Sequence, residues 1–185
     1  MSTKRIFLWS APRCITTAFE RSMMEVDNSK VFHQPFSKPY FFGPDRICTR
    51  YISQPVDDSM SYNRIKLLLT KEYDGVELLF SKDMAYVVEN QHEMFLEEDL
   101  RDFQHTFLIR NPRKTLPSLY RASINKDLTG WDGFDPDEAG FSQLQKLYDF
   151  VKENLDENPV VVDADDLLRD PESTMKCECY LISNF

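Results

Sequence analysis

Two short segments of this chain set basic side chains beside hydroxyls in a way that suits phosphate binding. In the first, an apolar run at residues 5–10 (RIFLWS) breaks at Ala11-Pro12-Arg13-Cys14, and a helical pattern starts at Ile15. A strand feeding directly into a helix presents free backbone N–H groups at the helix start, and these attract an anion together with the helix dipole. The dipole contributes only about 0.3–2 kcal/mol, so side chains must add to it. Arg13 offers two parallel donors to a phosphate, and Thr16 and Thr17 add hydroxyls. The second segment reads FLIRNPRKTLPSLYR. Arg110 follows an apolar strand, and Ser118 comes back near it after a turn and a half of helix. Ligands of open α/β sheets bind at the carboxyl ends of strands. Arg110 and Ser118 therefore suit a second phosphate, with Arg113 and Lys114 adding positive charge nearby.

Neither segment is decisive alone. The first is not a Walker A loop, because it has no glycine and no lysine. A nucleotide kinase or GTPase is thereby disfavoured, although the geometry is related. The segment also reads as a plain strand-turn-helix connection with a capping threonine, and the second as a solvated basic turn. Two such segments after two strands of one sheet suit a ligand with phosphates at both ends.

The elements that must position these residues follow from the apolar pattern. Strands are expected at 5–10, 30–33, 76–80, 105–109 and 160–162. Between them lie helical patterns. The first begins at Ile15 and places Ile15, Ala18, Phe19, Ser22, Met23 and Val26 on one face. The second covers 61–73, with Ile65, Leu68 and Leu69 inward, and a third covers 84–96. The fourth opens at Pro112, where a missing N–H costs nothing, and carries Leu116, Leu119 and Tyr120, with a distortion expected at Pro117. The fifth covers 141–154. Pro35 and Pro39 suggest an irregular aromatic loop through Phe36, Tyr40, Phe41 and Phe42. Strands alternating with helices argue for an α/β fold, three layers with a central parallel sheet flanked by helices. The 185 residues suit a single domain.

Composition narrows the partners. A net charge of −9 argues against general binding to nucleic acid or an anionic membrane. No run of about 20 apolar residues is present, and the first residues lack a signal-peptide core. Cysteines at 14, 48, 177 and 179 show no disulfide framework, which suits a reducing, cytoplasmic setting. Cys177-x-Cys179 lacks partners at zinc spacing, so no metal is implied.

Ser10-Ala11-Pro12-Arg13-Cys14-Ile15-Thr16-Thr17 resembles the 5′-phosphosulfate loop of the sulfotransferase superfamily. Arg110-Asn111-Pro112 with Ser118 resembles its 3′-phosphate site, and VVVDADDLLRDP at 160–171 a third landmark. The three occur in family order. The resemblance implies a P-loop-NTPase-like fold and 3′-phosphoadenosine-5′-phosphosulfate (PAPS) as sulfuryl donor. A small-molecule alcohol, phenol or amine would be the acceptor. By that resemblance Arg13, Cys14, Ile15, Thr16 and Thr17 hold the 5′-phosphosulfate, and Arg110 and Ser118 the 3′-phosphate. Cys14 replaces the usual serine or threonine. A thiol beside Arg13 at a helix start is expected to have a lowered pKa and to be oxidation-sensitive.

Sulfuryl transfer needs a base for the acceptor proton and a positive group for the developing charge. Related proteins carry a glutamate where this chain has Gln34, which accepts no proton near neutral pH. His33 is then the candidate base, or a core histidine. Lys82, after the third strand, resembles a family lysine and is the candidate electrostatic partner; it also reads as a surface neighbour of Asp83. His92 and His105 are weaker candidates. The aromatic residues at 36–42 suit either an apolar acceptor wall or core. The last residues, CECYLISNF, do not resemble the family, so the carboxyl-terminal part of the domain is expected to be incomplete, with Leu181, Ile182 and Phe185 poorly placed. Three functions remain open: a PAPS-dependent sulfotransferase, a non-catalytic PAP- or PAPS-binding module of the same fold, and a kinase-like phosphotransferase.

Overall fold

Ile6, Phe7, Leu8 and Trp9 are all fully buried, as befits the middle strand of a parallel sheet covered on both faces. In the computed structural model, which describes residues 3–131 and 133–174, that strand is β1 (Lys4–Ser10). It pairs with β3 (Leu78–Met84) on one side and β4 (Gln104–Ile109) on the other. β2 (Ser29–His33) extends the β3 side and β5 (Val160–Asp163) the β4 side. All the pairs are parallel, in the order β2-β3-β1-β4-β5. The helices are α1 (Thr16–Met24), α2 (Ser37–Phe42), α3 (Tyr62–Thr70), α4 (Glu98–Arg101), α5 (Pro112–Ser123), α6 (Lys126–Thr129), α7 (Phe141–Asn154) and α8 (Ala164–Arg169). The α/β fold with a helix-flanked parallel sheet is therefore as the sequence implies.

Strand alternation sorts the core into two faces. On one, Ile6 and Leu8 of β1 pair with Phe80 and Lys82 of β3, and α1 covers them, Phe19 stacking on Phe80 at 5.9 Å. On the other, Phe7 and Trp9 meet Phe36, Phe95 and His105 in one aromatic cluster. α3 and α7 bring Tyr62 to Phe36 and Tyr148 to Phe107. After β1 the chain leaves toward β2; after β4 it leaves toward β5. The two connections diverge at the carboxyl ends of β1 and β4, the switch point at which such sheets hold ligands.

Several expectations need correction. Residues 34–42 are not an irregular loop: α2 forms there, because Pro39 is its third residue, in the first turn, where an N–H has no acceptor within the helix. β3 runs on through Ser81, Lys82 and Asp83, all buried, because tertiary partners satisfy the two charged groups. The expected helix at 84–96 is two 3₁₀ turns, Ala85–Val88 and His92–Leu96. In α1 the buried residues are Thr16, Phe19, Glu20 and Met23, while Val26, beyond its end, is exposed. Leu68, Leu116 and Tyr120 also face solvent. Leu181, Ile182, Phe185 and Cys177-x-Cys179 lie outside the described residues. Among the described residues no helix is long and apolar enough to cross a membrane.

Candidate functional site

The connection from β1 to α1 turns without glycine. Arg13 (φ 69°) and Ile15 (φ 58°) both adopt left-handed backbone. For a β-branched residue this is a true outlier, and each such position costs about 1–3 kcal/mol. Ile15 is the N-cap of α1 and makes no side-chain capping bond. The first N–H groups of α1 are thus not capped by the side chain of Ile15. Thr16 is buried at the helix start and Thr17 is exposed beside it. Cys14 is fully buried under the turn. Burial pushes its thiol pKa up, and the hydrogen bond from Ser10 acts the other way. The expectation of a lowered, oxidation-sensitive thiol is therefore reversed: the helix start does not outweigh desolvation. Cys14 does not line the cleft described below.

The second segment is built by its own punctuation. Asn111 caps α5, its Oδ1 accepting from Arg113 N–H at 2.9 Å, and Pro112 starts the helix. Ser118 then faces back toward the first turn. Arg13 Nε donates to Ser118 Oγ at 3.0 Å, and Arg110 Nη1 donates to the Arg13 carbonyl at 3.1 Å. Arg110 Nε is buried with no hydrogen-bond partner among the described residues. It lies 3.9 Å from Asp165 Oδ1, at the start of α8. Lys114 donates to Asp165 at 2.6 Å, and this bond holds the half-buried Asp165 carboxyl below its ordinary range.

A cleft of about 640 Å³ opens over these ends, a size suited to a nucleotide-sized ligand. Arg13, Ile15, Thr16, Thr17, Arg110 and Ser118 line it together with His33 and Lys82. These eight side chains thus share one cavity, whereas Cys14, Arg113 and Lys114 do not line it. His92 and His105 do not line it. His105 is core: its Nδ1 accepts from Trp9 Nε1 at 2.9 Å, and burial lowers its pKa to about 3. Phe41, Phe42, Tyr51, Tyr86 and Trp131 wall the cleft, whereas Phe36 and Tyr40 belong to the core.

Lys82 is not a surface neighbour of Asp83. Its side chain is 1% exposed, and burial lowers its pKa, opposed by Glu20 and Asp83. Asp83 points to the opposite face. Its carboxyl accepts from Phe36 N–H at 2.7 Å, Ser37 Oγ at 3.3 Å and Met84 N–H at 2.9 Å. Burial raises its pKa to about 7, against the pull of those donors and Lys82. The sequence reading missed Glu20. It is 2% exposed on α1, 2.7 Å from His33 Nδ1 and 3.9 Å from Lys82 Nζ. Its signal was its place between Phe19 and Met23, on the side of the helix that faces the sheet.

No protein-family model matches the chain. It is similar to two Arabidopsis thaliana proteins, branched-chain-amino-acid aminotransferase-like proteins 2 and 1, at 26% identity over 189 residues and 27% over 177. Each match takes in 94% of this chain and 29% of the relative, so the chain spans less than a third of those proteins' length. Sulfotransferase ppzF of Metarhizium majus (strain ARSEF 297) is 33% identical over 96 residues, 44% of this chain and 28% of that protein. Among solved structures, a sulfotransferase from Alicyclobacillus acidocaldarius superposes with a TM-score of 0.67 at 14% identity, over 100% of this chain and 84% of that one. The sulfotransferase domain from the curacin biosynthetic pathway gives a TM-score of 0.54 at 14% identity, over 99% and 75%. The chain has the sulfotransferase fold, as the order of its three landmarks implied.

Proposed function

We propose that this chain binds PAPS in the cleft and transfers its sulfuryl group to a hydroxyl or amine of a small-molecule acceptor. The observation that carries this reading is the bridge between the two basic segments, in which Arg13 touches Ser118 and Arg110 holds the Arg13 carbonyl. A ligand with phosphates at both ends would engage both segments at once. In this reading Arg13, Thr16, Thr17 and the backbone N–H groups of Cys14 and Ile15 hold the 5′-phosphosulfate. Arg110 and Ser118 hold the 3′-phosphate; Arg110 Nε makes no hydrogen bond among the described residues. The acceptor atom bonds to sulfur as the bond from sulfur to the 5′-phosphate oxygen breaks. The acceptor proton passes to His33, and the electron pair leaves with PAP, whose new charge faces Lys82 and the helix start. The aromatic walls suit the apolar body of an acceptor.

Calorimetry with PAP, AMP and ATP, then transfer of labelled sulfate from PAPS to a panel of phenols, alcohols and amines, tests this. PAP is expected to bind best, with labelled product. Binding of ATP without PAP would overturn the reading and select a phosphotransferase. Gln34 favours a second reading, a non-catalytic PAP-binding module, because its amide takes no proton where related proteins carry a glutamate. Tight PAP binding with no transfer across the panel selects that module.

A further inference from the structure

A carboxylate buried as deeply as Glu20 is costly unless paired, and an apolar side chain at the same place is often no less stable. Its Oε2 lies 2.7 Å from His33 Nδ1 and 3.9 Å from Lys82 Nζ. Its Oε1 is buried with no hydrogen-bond partner among the described residues. An ionised carboxylate only accepts hydrogen bonds. With Glu20 as a carboxylate and His33 neutral, the proton of their bond would sit on Nδ1 and leave the lone pair on Nε2. The imidazole is 55% exposed and lines the cleft, so the ring edge away from buried Glu20 is the one open to a ligand. The backbone fixes the ring's origin. His33 pairs with Lys82 across the sheet, and Gln34 N–H donates to the Lys82 carbonyl at 2.8 Å as the chain turns away.

We propose that Glu20 is a positioning residue for His33: it fixes the Nδ1–H tautomer, aims Nε2 at the acceptor, and stabilises the imidazolium that forms. This rests on the reading of His33 as the base. It supplies, from α1, what Gln34 cannot: a carboxylate acting one bond behind the proton acceptor rather than as the acceptor. Lys82 sits against the same carboxylate, so one buried anion orders both candidate reactive groups.

The test is the tautomer of His33 in uniformly ¹⁵N-labelled protein, read from long-range ¹H–¹⁵N correlations of the imidazole at pH about 8.5, above the ordinary histidine range. The chain has three histidines, and the variant His33→Gln identifies the His33 signal. The wild type is expected to show Nδ1–H. Glu20→Met, which keeps length but accepts nothing, is expected to shift His33 toward Nε2–H; Glu20→Gln, an acceptor without charge, falls between. In kinetics Glu20→Met lowers kcat about 10–100-fold while PAP affinity stays within about threefold, and Glu20→Gln recovers part of kcat. An Nε2–H tautomer in the wild type overturns the proposal with no variant needed, as does a tautomer unmoved in Glu20→Met. If the wild type shows Nδ1–H and Glu20→Met moves it, but no acceptor is sulfated, the positioning contact stands and the assigned reaction fails.

Discussion

Replacing Arg110 with alanine removes the donors assigned to the 3′-phosphate and little else. Asp165, the carboxylate nearest Arg110 Nε, keeps its 2.6 Å bond to Lys114. Arg13 keeps Ser118. The protein bonds lost are the 3.1 Å contact to the Arg13 carbonyl and a long 3.9 Å ion pair. A hydrogen bond to a charged group contributes about 1.5–3 kcal/mol, and the fork of Arg110 can give a phosphate two. The side chain is 20% exposed, so screening argues for the low end, about 3 kcal/mol in all, or roughly 150-fold in Kd. Calorimetry at fixed ionic strength should therefore show Arg110→Ala weakening PAP about 100-fold while AMP, which lacks the 3′-phosphate, changes by less than about fivefold. Arg110→Lys keeps the charge but not the fork and should fall between. An equal loss for PAP and AMP would refute the assignment, because Arg110 would then be acting through the first turn and not on a second phosphate.

Lys82→Met, close in length and uncharged, should lower kcat for sulfuryl transfer about 100-fold or more with a smaller change in KM for PAPS, read from initial rates. Native Cys14 should react with iodoacetamide more slowly than a free thiol at neutral pH, because burial raises its pKa; mass spectrometry of timed samples checks this. His105 has a folded pKa of about 3, below its ordinary value of 6.5. Its contribution is present above pH about 6.5 and lost as pH falls toward 3. Urea denaturation should show the wild type losing stability relative to His105→Gln across that window, at up to roughly 1.4 kcal/mol per pH unit. Gly43→Ala should destabilise by about 2 kcal/mol or more, seen as a lower Tm. The new Cβ would lie 2.0 Å from the Met60 carbonyl oxygen and 2.8 Å from Pro39 Cα, both backbone atoms.

The parts of this fold that the sequence disclosed are those whose signals are local. Pro112 and Asn111 mark the start of α5 by their own chemistry, and α7 matches the periodicity at 141–154 end to end. The strand runs around Ile6 and Phe107 are apolar enough to be read without partners. What escaped depends on neighbours distant in the chain. Ser81-Lys82-Asp83 reads as a polar exit from a strand until Glu20 and the N–H of Phe36 are brought to it. Cys14 reads as an activated thiol until the turn folds over it. Glu20 was missed because an acidic residue in a helix is ordinarily solvated, and only the approach of β2 and β3 shows otherwise.

The adjacent residues Lys82 and Asp83 serve opposite faces of β3, one the cleft and the other the start of α2. Under the proposed function, selection for turnover and selection for folding would act on a single dipeptide. A change at Asp83 would be scored as a kinetic defect in any screen for activity, since whatever loosens α2 displaces the backbone that carries Lys82. Drift in this strand is constrained twice over, and efforts to raise thermal stability by substitution at 83 would trade against rate. Tyr51 and Trp131, which the proposed function sets against the acceptor, also pack internally, Tyr51 on Phe41 and Phe42 and Trp131 under Arg50.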